Sequence, residues 1–97
     1  MSMRDQRIAT MTRLERMQDE LASEQRALKI QEYQFRIHAR ALGEHAEEGE
    51  HDRPVHERAE EIHGCANEVL RCVRVITELR GRIAAIRDCI EIEEDKR

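Results

Sequence analysis

Aromatic side chains are nearly missing from this sequence: there is no tryptophan, and Tyr33 and Phe35 are the whole aromatic complement. With 39% of its 97 residues charged as well, the chain has little bulk for a globular core and reads as one domain at most. Long helices suit such a composition, because Leu, Ile, Val and Ala fill narrow seams while Arg and Glu favour helix and cover the remaining faces. No apolar run approaches the roughly 18 to 20 residues needed to span a bilayer. Arg4, Asp5, Gln6 and Arg7 stand where a signal peptide would turn hydrophobic. Cys65, Cys72 and Cys89 are an odd set without the spacing of a disulfide framework, as expected of reduced thiols. Together these features predict a cytoplasmic protein.

Positive charge is also in short supply. The formal net charge of -4 and a pI near 5.7 argue against general affinity for nucleic acid or anionic membranes. Lysine is confined to Lys29 and Lys96, so nearly all the positive charge is arginine, suited to planar, bidentate contacts with carboxylates or phosphates. A GC-rich coding bias produces the same preference.

What the sequence does contain is a pair of heptad repeats. Leu14, Leu21, Leu28, Phe35 and Leu42 recur every seven residues, and Ile62, Val69, Ile76, Ile83 and Ile90 do so after Pro54. Taken in reverse order the two sets match residue for residue, each pair equidistant from Asp52. Apolar residues at this period keep one helix facing another, so the chain reads as an all-α, long antiparallel two-helix hairpin of coiled-coil type. Disorder, the competing reading of so charged a chain, lacks sustained apolar periodicity.

The pattern predicts a single helical-hairpin domain over residues 1–97, with helix 1 at about 5–47, an acidic, histidine-bearing bend at about 48–53 and helix 2 at about 54–94. Gly43 is an earlier stop for the first helix, Gly49 offers the flexible backbone of a reversal, and Pro54 suits the first turn of the second helix. Pairing about Asp52 also aligns a second, mixed column: Met11, Gln18, Gln25, Glu32, Ala39 and Ala46 against Glu93, Ile86, Leu79, Cys72, Cys65 and Arg58. Its glutamines and glutamate predict a half-wet seam or a slightly different rotation. Glu24 with Arg82, and Glu15 with Arg87, are the expected flanking ion pairs.

A two-helix rod buries one stripe per helix, and ordering each residue costs roughly 1.5 kcal/mol. The apolar surplus outside the seam is large: Ala27, Ile30, Tyr33, Ile37 and Ala41 on the first helix, and Ala59, Ala66, Leu70, Val73, Val75, Ala84 and Ala85 on the second. Gly64 and Gly81 would each cost about 1 kcal/mol within a helix unless another helix approaches closely there. These features predict a homodimer closing a four-helix bundle, with Leu21, Leu28, Phe35, Leu42, Ile62, Val69, Ile76 and Ile83 as core. Ile30, Tyr33 and Ile37 are either part of that bundle core or a docking stripe for another protein.

Chemistry is sparse. His38, His45, His51, His56 and His63 gather near the bend with Cys65 and carboxylates, the donor types of a zinc site, but no CxxC or HxxxH pair occurs. An interhelical reading of the same residues pairs His38 with Glu68 and His45 with Glu61. Cysteine on the core edge acts as a small hydrophobe, and no paired-acid, phosphate-loop or triad pattern suggests an enzyme. No cofactor is implied. The expected function is a non-enzymatic protein-protein interaction module: a dimeric helical-hairpin adaptor, or a small regulator or inhibitor of a larger protein. Two alternatives stand beside it. One is an RNA- or DNA-binding hairpin dimer using the arginine clusters Arg4, Arg7, Arg13 and Arg16 or Arg71, Arg74, Arg80 and Arg82. The other is a His/Cys/Glu metal-binding sensor.

Overall fold

The computed structural model describes residues 2–49 and 53–95; Glu50, His51 and Asp52, half of the expected bend, fall outside these. The chain is an all-α helical hairpin of two long helices, α1 (Met3–Glu47) and α2 (Arg53–Asp95). Ser2 caps α1. Its hydroxyl oxygen accepts the Asp5 amide at 3.2 Å, and its carbonyl accepts the Gln6 amide at 3.1 Å. The local sequence Ser2-Met3-Arg4-Asp5 is a recognisable capping pattern, so α1 begins two residues before the expected start.

Gly43 does not stop α1, which runs on to Glu47. The helix ends at Gly49, whose φ of 77° lies in the left-handed region that a Cβ disfavours. The Gly49 amide donates to the Ala46 carbonyl at 3.2 Å, satisfying one of the last free carbonyls of the helix. Pro54 stands at the second position of α2, where a missing amide proton costs nothing.

Two compact bodies divide the hairpin: Met1–Glu24 with Arg74–Arg97, and Gln25–Val73. In the first, Leu14, Met17, Leu79 and Ile83 form a buried cluster, with Leu21, Val75, Ile86 and Ile90 packed around it. Full burial of such side chains contributes roughly 1.5 to 3 kcal/mol each. Arg7 Nη2 lies 3.2 Å from Glu94 Oε1 at the open edge of this body. In the second body Cys65 and Cys72 are the buried pair, and Leu28, Leu42, Ile62 and Val69 are half-buried.

The contacts correct the expected register. Arg7 with Glu94, and His38 with Glu61, place the centre of the pairing at about position 50 in each body, not at Asp52. Pairing about Asp52 would set the leucine column head-on against the β-branched column. Interlocked antiparallel helices instead seat each inner column against the other column of the partner.

The second inner column of α1 is corrected as well. Met17 is 8% exposed, whereas Met11 is 41% exposed. His38 and His45 are half-buried, whereas Ala39 and Ala46 are exposed. The column Met17, Glu24, Gln31, His38 and His45 therefore turns inward, although Gln18, Gln25 and Glu32 keep part of their surface covered. The expected Glu24–Arg82 pairing gives way to a bond within α2: Arg82 Nη2 lies 2.7 Å from Glu78 Oε1. No helix of the described residues is long and apolar enough to cross a membrane.

Candidate functional site

The body Gln25–Val73 carries most of the unusual surface. Its inner layers are polar or small on one side: Gln31, His38 and His45 on α1, Cys65 and Cys72 on α2. Cys72 is fully buried, with Arg71 Nη2 3.5 Å from its sulfur, and Cys65 is 8% exposed. Thiols enclosed in this way serve as small hydrophobes and lack the access that a nucleophile needs.

Small inner residues leave large ones uncovered. Phe35, expected in the core, is 37% exposed, and beside it a groove of about 540 Å³ opens between the helices. Glu32, Phe35 and Arg36 line it from α1, and Ala66, Val69 and Leu70 line it from α2. Phe35 and Val69, matched by the heptads, thus meet at one site. Ala66 provides a hollow, while Leu70 one turn later is 53% exposed. A second groove, of about 340 Å³ in the body Met1–Glu24 with Arg74–Arg97, is lined by Met11, Leu14 and Ile90 together with the charged Arg7, Arg87, Glu91 and Glu94.

Ile30, Tyr33 and Ile37 form a separate stripe on α1, exposed to 56%, 65% and 46%. Their spacing of three and four residues puts them on one face of the helix. That face points away from the seam, since the inner columns of α1 run through Leu28, Gln31, Phe35 and His38. Of the remaining expected core residues, Ile76 and Ile83 are buried, and Leu21 is half-buried. Leu14 of the leucine heptad and Leu79, Cys65 and Cys72 of the second column are buried as well, and so is Met17, which lies in neither expected column. The i, i+3, i+7 run Leu14, Met17 and Leu21 is the sequence signal that points to Met17.

Near the bend a polar cluster ties the helices together. Arg58 Nη1 donates to Glu61 Oε2 at 3.0 Å, and His38 Nδ1 lies 2.8 Å from both Arg58 Nη1 and Glu61 Oε2. A single ring nitrogen cannot accept from arginine and donate to glutamate at once. Either proton arrangement keeps one cross-helix hydrogen bond, so the cluster is a staple in both. Glu68, the partner expected for His38, instead accepts from Arg71 Nε at 3.1 Å. His56 Nε2 lies 3.1 Å from Glu60 Oε1 on the outside of α2. Among the described residues, no group of three His, Cys, Asp or Glu side chains is placed to hold a metal ion.

Several arginines are matched by carboxylates of their own helix. Arg40 with Glu44, Arg53 with Glu57, Arg71 with Glu68 and Arg82 with Glu78 are all within-helix pairs. The surface is accordingly a mixed-charge one, interrupted by the apolar groove and the apolar stripe. Comparison with family models, with curated proteins and with solved structures finds no match to this chain.

Proposed function

We propose that this protein is a non-enzymatic, cytoplasmic protein-protein interaction module, a dimeric helical-hairpin adaptor or small regulator that occupies a surface on a larger protein. The observation that carries this reading is the stripe Ile30, Tyr33 and Ile37. Three large side chains at helical spacing stand 46% to 65% exposed on the part of α1 within the Gln25–Val73 body, apart from Met3, Ile8 and Met11, which are exposed nearer its start. Helices dock into apolar grooves through such i, i+3, i+7 anchors. A tyrosine at the centre of the stripe suits this role, because it offers a broad apolar face with a polar tip.

Interleaved carboxylates weigh against the nucleic-acid alternative, since Arg71 and Arg82 already face Glu68 and Glu78. Scarce aromatics also leave little for base stacking. The test is affinity capture from the native cell with wild-type, Tyr33→Ala and Ile37→Asp chains of equal helicity by circular dichroism. A partner retained by the wild type and lost from both variants supports the reading. Equal capture by all three removes the stripe as the docking face.

A further inference from the structure

We infer that the groove between Phe35 and Leu70 is the self-association face, and that its occupant is the same groove of a second copy of this chain. The inference deepens the interaction-module reading by assigning one apolar face to the dimer and leaving the stripe Ile30, Tyr33 and Ile37 for the larger partner. The pattern of the groove lining carries it.

The groove is self-complementary about a twofold axis. Glu32 and Arg36 stand one helical turn apart on α1, and Ala66 and Leu70 stand one turn apart on α2. A twofold axis across the middle of the groove, perpendicular to the helices, lays α1 antiparallel on α1 of the second copy and α2 on its α2. Each Glu32 then meets an Arg36, and each protruding Leu70 meets the hollow at an Ala66. Acid faces base and large faces small, twice over, as an isologous contact requires. Phe35 and Val69, both lining the groove, are covered in the centre.

The charge pairs supply the decisive experiment, read by sedimentation equilibrium at micromolar concentration. Wild-type protein is expected at twice the chain mass of 11.5 kDa. Glu32→Arg alone and Arg36→Glu alone each set like charges against each other at both symmetric positions and weaken self-association at least about tenfold. An equimolar mixture of the two variants restores opposite charges at every pair and recovers the dimer. Recovery on mixing also shows that neither variant was merely misfolded. Leu70→Asp is expected to be monomeric with unchanged helicity, and Ile37→Asp to remain dimeric. A monomeric wild type, a mixture that fails to associate, or a dimeric Leu70→Asp overturns the assignment. So does an Ile37→Asp chain that falls to monomer, which would move the dimer contact to the outer stripe. Because the readout is mass alone, partner capture stays an independent measurement.

Discussion

His38 Nδ1 lies 2.8 Å from Glu61 Oε2, one heptad nearer the bend than the glutamate that pairing about Asp52 assigns to it. The contact centres the pairing of the Gln25–Val73 body at about position 50. A double-mutant cycle on His38→Ala and Glu61→Ala, read by urea unfolding, is expected to give a coupling of about 0.5 to 1 kcal/mol, the upper range for a part-exposed pair. The same cycle on His38 and Glu68 is expected to give less than about 0.3 kcal/mol, since Glu68 is bonded to Arg71. Equal couplings would place the register elsewhere.

Met17 and Met11 make a matched pair for the rotation of α1. Aspartate at the buried Met17 puts an unpaired charge among Leu14, Leu79 and Ile83 and is expected to cost about 3 kcal/mol or more. Met11→Asp, at a site already 41% exposed, is expected to cost less than about 1 kcal/mol. Chemical denaturation of the two variants side by side measures the difference, and the opposite ranking would turn the helix back to the expected column.

Gly64 and Gly81 stand within α2 with nothing inside 4 Å of where a Cβ would be. Among the described residues, the close helix approach that would justify them is not made. Alanine at each is therefore expected to stabilise by about 0.5 to 1 kcal/mol through helix propensity alone. Thermal unfolding of the single and double variants checks this, and a loss of stability at either position would reveal a neighbour there.

Thiol reactivity should divide the cysteines sharply. Cys89 is exposed, while Cys65 and Cys72 are buried. Under native conditions a disulfide reagent is expected to label one thiol quickly and the other two only as the helices open, at least about a hundredfold more slowly. Adding urea through the unfolding transition should bring the slow pair up to the fast rate. Rapid labelling of all three would mean that the Gln25–Val73 body is far looser than its packing implies.

Part of the candidate site is legible in the sequence. Leu70, Ala66, Ile30, Tyr33 and Ile37 all stand out as apolar surplus beyond the seam, because a seven-residue period accounts for the inner columns and leaves the remainder countable. Their division into a groove and a separate stripe is not legible there. That division depends on which side of the leucine column turns inward, and a helix rotated by one position exchanges neighbours for outsiders. Likewise nothing in a seven-residue period says that small side chains such as Cys65 and Ala66 leave an edge of Phe35 uncovered within one chain.

The sequence by itself determined the two helices, their approximate ends and the leucine and β-branched columns that turn inward. Those features are local: periodicity makes the stripe, the Ser2 hydroxyl starts one helix, Gly49 ends it and Pro54 opens the next. Only the tertiary structure decided the companion column and the register. The column headed by Met11 ends in Ala39 and Ala46, whereas the column headed by Met17 continues through Glu24, Gln31, His38 and His45, so burial energy read along one chain favours the column that stays outside. The choice was made by interdigitation in three dimensions, where each side chain must seat in a hole on the opposite helix.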